Sequence, residues 1–259
     1  MRLIIFGMLI GLVCGPGHVG AAPQPQPGAA TATVPLPRER PLEAGPRAPE
    51  EPPEPTLPSA CFMALTAGVA VAEALPPITS ANGCGAQDVV RLDAVVLKDQ
   101  RRVAFKPAPV LRCGMATALA NWLREDVDAQ VAPLGAQLAG VDNYNSYDCR
   151  PRNNIPGAET SEHGRANAVD VRGFALSNGK RFSLTDPEVK KSVRDDLKVS
   201  ACARFMTVLG PGSDGYHEEH IHLDLAERRS GFRLCQWDVN IPVPMPRPRP
   251  AEAPQREAE

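Results

Sequence analysis

Residues Ser161 to Val171 read SEHGRANAVDV, and His217 to Leu225 read HEEHIHLDL. In the first, Gly164 and Asn167 precede an apolar run, which predicts a turn feeding a strand over Ala168 to Phe174. The second alternates. Side chains of a strand point to opposite faces in turn, so His220, His222 and Asp224 share one face. Ile221, Leu223 and Leu225 share the other, and a regular strand would carry Glu219 with them. Strands of this kind call for a sheet packed on a core through one face and bordering a cleft with the other.

Working outward, Val89 to Leu97, Arg102 to Phe105 and Phe205 to Leu209 are expected to be strands. Leu111 to Val131 has helical spacing, with Leu111, Met115, Leu119, Trp122 and Leu123 on one stripe. Pro187 to Arg204 reads as one or two helices with a polar face. Val141 to Asn154, rich in Asn, Asp, Tyr and Pro, reads as a loop. Helices and strands do not alternate strictly, so the expected class is α+β: a small antiparallel sheet with flanking helices in one disulfide-stapled domain.

The 28 prolines among 259 residues gather at the two ends. Residues 23–58 hold almost no large apolar side chain and are expected to be an extended linker, with residues 241–259 a similar tail. The folded domain is then 59–240. Arg2, the apolar run Leu3 to Val13 and the small residues Gly20, Ala21 and Ala22 describe a signal peptide over residues 1–22, too short to span a bilayer. The expected destination is the periplasm or the exterior. Val13 before Cys14 is not the small residue that lipid anchoring wants. A formal net charge of -2 and the lack of a basic stripe argue against nucleic acid as a partner.

Beyond the signal stand Cys61, Cys84, Cys113, Cys149, Cys202 and Cys235, an even set that predicts disulfides in an exported chain. Sequential pairing (Cys61–Cys84, Cys113–Cys149, Cys202–Cys235) closes modest loops and is the expected pattern. No pair has the C-x₂-C spacing of thiolate zinc sites.

Of the five histidines, His18 falls in the signal, and His163, His217, His220 and His222 fall in the two quoted segments. A turn that folds His163 back toward Asp170 supplies an imidazole and a carboxylate. One of His220 and His222 is then available as a third ligand, the other facing a bound water or substrate carbonyl. Three neutral or anionic ligands with a position left open is the composition of catalytic rather than structural zinc sites. His220 is the simplest candidate for a base or transition-state donor, Glu219 serving only if the strand begins late, and His217 flanks the cleft. Arg150 and Tyr147, in the Tyr-rich loop, are candidates to hold a peptide carboxylate and to line the groove.

The pattern S-x-H-x-x-x-x-A-x-D over Ser161, His163, Ala168 and Asp170, followed by H-x-H, resembles the zinc D-alanyl-D-alanine peptidases and the group they form with lysostaphin-type endopeptidases and the hedgehog signalling domain. The resemblance implies His163, Asp170 and His222 as zinc ligands, brings Ser161 into the substrate site, and places Glu219 where the carboxypeptidases keep their catalytic Glu. The spacing His217, His220, His222 is similar to the murein endopeptidase branch. LRCGMATALANWL, NYNSYDCRPRNN, SEHGRANAVDVRGF and HEEHIHLD together resemble the bacterial extensin-like C-terminal domain. The resemblance implies a secreted Zn²⁺ peptidase acting on peptidoglycan peptides or, as the hedgehog branch illustrates, a wall-binding module with metal but without turnover. The chain departs from many of the carboxypeptidases in having Ala166 in place of Gly.

Overall fold

The segment AVDVRGFAL, Ala168–Leu176, forms an inner strand of a ten-stranded mixed sheet. The structure, a computed structural model, describes residues 58–80 and 82–240. The expected signal peptide, the tail and nearly all of the linker lie outside the described residues. In chain order, α1 (Ala60–Thr66) precedes β1 (Ala70–Leu75), β2 (Ile78–Thr79), β3 (Gly85–Ala86), β4 (Val89–Val96), β5 (Arg102–Lys106) and β6 (Val110–Arg112). Next come α2 (Cys113–Trp122), α3 (Asp128–Val131), β7 (Leu138–Asn145), β8 (Ala168–Leu176), β9 (Arg181–Ser183), α4 (Lys191–Arg204), β10 (Thr207–Leu209), β11 (Ile221–Asp224) and β12 (Leu234–Gln236). The sheet runs β1-β4-β5-β7-β8-β11-β10-β12, with β6 on β4 and β9 on β8; β2 and β3 form a separate pair.

The α+β class is as expected, but the sheet is neither small nor purely antiparallel, because β5 pairs β7 and β10 pairs β12 in parallel. The expected loop over 141–154 is overturned in its first part. β7 runs through Asn145 despite its Asn and Asp residues, since β5 and β8 clasp it on both edges and Asn143 Nδ2 donates to the Pro107 carbonyl. Sheet context outweighs a weak strand propensity. The helix expected from Leu111 begins instead at Cys113, Leu111 pairing with Val90 in the sheet. It continues to Val131 through a wide turn in which the Asp128 N–H reaches back to the Leu123 carbonyl.

The apolar faces meet in one core. Trp122 packs edge-on against Phe205 and tilted against Phe174, and its indole N–H donates to Ser200 Oγ of α4 at 2.9 Å. A buried indole keeps its hydrogen bond in this way while burying its rings. Val169, Val171, Phe174 and Leu176 of β8 all reach this core, although 171 and 174 differ in parity. A bulge resolves the conflict: Asp142 faces Gly173 and Asn143 faces Val171, so Arg172 is left over and alternation shifts by one.

Two of the three expected disulfides are corrected. Cys61 pairs with Cys113 and Cys84 with Cys149, while Cys202–Cys235 forms as expected. Short loop length favoured sequential pairing, but the β1–β4–β6 pairing lays α1 against the start of α2, and the 162–165 turn stands against β3. Cys113 and Cys149 are thereby drawn to different partners.

Candidate metal centre

Asp170 of β8 stands directly opposite His222 of β11, and Asp224 opposite Ala168. Opposite residues of an antiparallel pair share a face, with Cβ atoms about 4.5–5.5 Å apart, so the register alone brings carboxylate and imidazole together. Val169, Val171, Ile221 and Leu223 go to the core on the other face. On the next strands Thr207 and Leu209 continue the site face beside Asp224 and His222, followed by Leu234 and Gln236.

His163 arrives from a tight turn, Glu162–Arg165, whose N-cap Ser161 accepts from the His163 N–H. Arg165 and Asn167 both donate to Glu162, which ties the turn together. Ala166 closes it in the left-handed region at φ 51. A non-glycine residue held there stores a modest strain. Cys84 Sγ lies so near Gly164 that a Cβ there would come within 2.9 Å of it, so the Cys84–Cys149 bridge packs closely against the turn and leaves no room for a side chain at 164.

The three side chains converge. His163 Nε2 is 3.1 Å from His222 Nδ1 and 3.2 Å from Asp170 Oδ1, and His222 Nδ1 is 2.9 Å from the same oxygen. His163 and Asp170 are 1% and 3% exposed. Ligand atoms about 2.0–2.1 Å from a tetrahedral ion stand about 3.3–3.4 Å apart, so the triangle fits a small divalent ion with slight expansion. The outward nitrogens fit as well. His163 Nδ1 donates to the Ser146 carbonyl at 2.6 Å, and His222 Nε2 bonds to Asp224 Oδ2 at 3.1 Å. These partners fix the tautomers and aim a lone pair from each ring into the triangle, the arrangement by which metal-binding histidines are oriented.

Without an ion the cluster is strongly polarised. Burial pushes the Asp170 carboxyl up, but the neighbouring His163 and His222 rings outweigh it and hold the group well below the usual carboxylate range. Burial likewise lowers His222, yet Asp170 and Asp224 together raise it to about 9.

Two cavities flank the triangle. One, of about 290 Å³, is bordered by His163 and His222 with Ser161, Thr207, Asp224 and Arg228. The other, of about 280 Å³, is bordered by Asp170, His220, Tyr144 and Tyr216. Arg150, Asn153 and His217 line both.

His217 Nδ1 lies 2.7 Å from Asp214 Oδ1, a dyad that leaves Nε2 as the acceptor. Burial lowers His217 against the pull of Asp214. His220 is lowered to about 4, chiefly by burial, and stays neutral. Its ring stacks on Tyr144 at 4.6 Å, and the Arg172 guanidinium sits over the Tyr144 ring, 4.3 Å from its centroid. Both partners come from irregularities: Arg172 is the bulged residue of β8, and Tyr144 is skipped between Asn143 and Asn145 in the pairing of β7. Bulges commonly re-aim a side chain beside a site.

β11 begins at Ile221, as a catalytic Glu219 would require, but Glu219 borders neither cavity. Arg150 lines both cavities with its Nε on Asp148. Tyr147 packs instead against the small cluster of Ala86, Val89 and Ala166. Sequence reasoning does not single out Asp214, Asp224, Tyr144 or Arg172 as site residues; of these, only Asp224 carries a signal, its parity with His222.

Comparison with curated proteins and with solved structures finds no match. The model of one family does match, over residues 59–236, nearly the whole described region. The chain belongs to the family described as extensin-like protein C-terminus.

Proposed function

We propose that this protein is an exported zinc-dependent amide hydrolase acting on the peptides of peptidoglycan. The observation that carries the reading is the buried triangle of His163, Asp170 and His222, each ring held by an outward partner, open to cavities on both sides. Neutral imidazoles with one carboxylate suit zinc among the common divalent ions. A zinc ion held there supplies Lewis acidity and a water acidic enough to ionise near neutrality.

The chain's own groups divide the remaining work. His217, oriented by Asp214, accepts a proton at Nε2 and returns it to the leaving amine. His220, neutral and clamped by Tyr144, donates a hydrogen bond to developing negative charge. Three disulfides accord with an oxidising compartment, periplasmic or extracellular.

One observation favours a second reading, a zinc-containing wall-binding module: Glu219, where the resembling carboxypeptidases keep their base, borders neither cavity. Digestion of purified peptidoglycan with zinc-loaded protein, read by mass spectrometry, separates the two. Hydrolysis predicts released fragments, abolished in His163→Ala along with zinc, and reduced about 10²–10⁴-fold in His217→Gln with zinc retained. Retained zinc and wall binding without fragments would establish the module instead.

A further inference from the structure

Arg228 stands in the wall of the cavity that His163 and His222 border. Its Nη1 donates to the carbonyls of Met206 at 3.0 Å and Phe232 at 3.4 Å, and its Nη2 to Thr207 Oγ1 at 2.7 Å. None of these acceptors carries charge. Among the described residues Arg228 has no ion-pair partner, whereas the other two arginines of this cavity do: Arg150 has Asp148 and Arg152 has Glu159. The cavity's carboxylates are also engaged elsewhere, Asp224 with His222, Glu162 with Arg165 and Asp214 with His217.

A guanidinium has five N–H donors. Three contacts go to neutral acceptors, and Nε–H and one Nη2–H keep no protein acceptor, which leaves donors for a carboxylate. The spent donors hold the group rigid, so little side-chain entropy is lost when an anion docks. Position adds a further argument. Thr207 is on the site face of β10 opposite Asp224, so Arg228 lies one residue beyond the carboxylate that orients His222. A pure backbone staple would need the shape of this side chain but not its unanswered charge.

We propose that Arg228 is a carboxylate subsite, and that the ligand is an acidic peptide. Its free carboxylate docks on the β10 side of the metal centre, and its chain continues past His217 into the second cavity. This rests on the peptide-hydrolase reading and names the substrate feature that the site selects.

The test is calorimetric titration of the zinc-loaded, full-length protein with the N-acetylated stem tripeptide of peptidoglycan, carrying free carboxylates, and with its fully amidated form. Amidation is expected to weaken binding to the wild type by about tenfold to a hundredfold, the worth of a charged hydrogen-bond pair. Arg228→Gln is expected to bind both forms alike with its zinc content unchanged. Arg228→Lys keeps the charge but not the fork, so it retains part of the discrimination and serves if the Gln variant is unstable. The proposal is overturned if the wild type binds both forms equally or neither, or if Arg228→Gln keeps the full penalty, which would then belong to the metal. Discrimination without hydrolysis leaves the subsite standing and removes the peptidase reading; equal cleavage of both forms does the reverse.

Discussion

Asp224→Asn gives the most direct access to how the chain holds its ligands. One Asp224 oxygen accepts from the Ala226 N–H at 2.9 Å, and the other meets His222 Nε2 at 3.1 Å. An asparagine has one acceptor oxygen where the aspartate has two. If that oxygen keeps Ala226, the amide N–H₂ faces His222 Nε2 and drives the ring to the other tautomer. A proton then occupies Nδ1, the nitrogen 2.9 Å from Asp170 that points into the triangle. If it keeps His222 instead, the Ala226 N–H loses its partner. Loss of such an orienting carboxylate costs about 10–100-fold in metal affinity, or about 1.4–2.7 kcal/mol. At fixed free zinc the same energy leaves the metal's contribution to folding, which narrows the gap between zinc-loaded and zinc-free melting temperatures by about 3–10 °C. Competition against a chromophoric zinc chelator measures the affinity, and calorimetry the melting gap. Asp214→Asn is the control, because Asp214 contacts His217 and no ligand of the triangle. An Asp224→Asn protein that binds zinc within twofold of the wild type would refute the orienting role.

Two further outcomes are expected. The raised pKa of His222 stabilises the metal-free protein fully below about pH 6.5, and this contribution, at most roughly 3 kcal/mol, is lost as pH rises through about 9. Zinc needs Nδ1 unprotonated, so its affinity climbs over the same window; denaturant titrations with and without zinc that stay parallel from pH 6.5 to 9 would contradict the assignment. Replacing Cys84 and Cys149 together by alanine opens a bridge of sequence separation 65. Loop-closure entropy puts the cost at about 4 kcal/mol, a fall of roughly 10 °C in melting temperature. Zinc affinity is expected to fall with it, since the bridge packs closely against the His163 turn; an unchanged affinity in the double variant would separate the bridge from the site.

The shared face of Asp170 and His222 is legible because alternation in HEEHIHLDL and the apolar run after Asn167 are local signals, and local signals fix which face a side chain takes. Partner identity across strands is not local. Nothing near Cys61 announces Cys113, because that contact exists only after β1, β4 and β6 have paired. The same holds for the His220 clamp, which depends on bulges at Tyr144 and Arg172 that a uniform two-residue period does not foresee. Glu219 is ambiguous because its outcome hangs on a strand boundary, the least determinable feature of a single sequence.

The pairing of β8 with β11 has a consequence for how such a site changes over time. The proposed metal ligands and the core residues occupy alternate positions on the same two strands, Asp170 and His222 between Val169, Val171, Ile221 and Leu223. A one-residue slip in the register between these strands sends a ligand into the core and a core residue into the cleft. Such a lesion destroys folding before it can be tested for binding. His217 and His220 precede β11 and are under no such parity. On the proposed reading, drift can therefore remove His217 and His220 while leaving the triangle of His163, Asp170 and His222 intact, so a capacity to hold metal would outlive a capacity to use it.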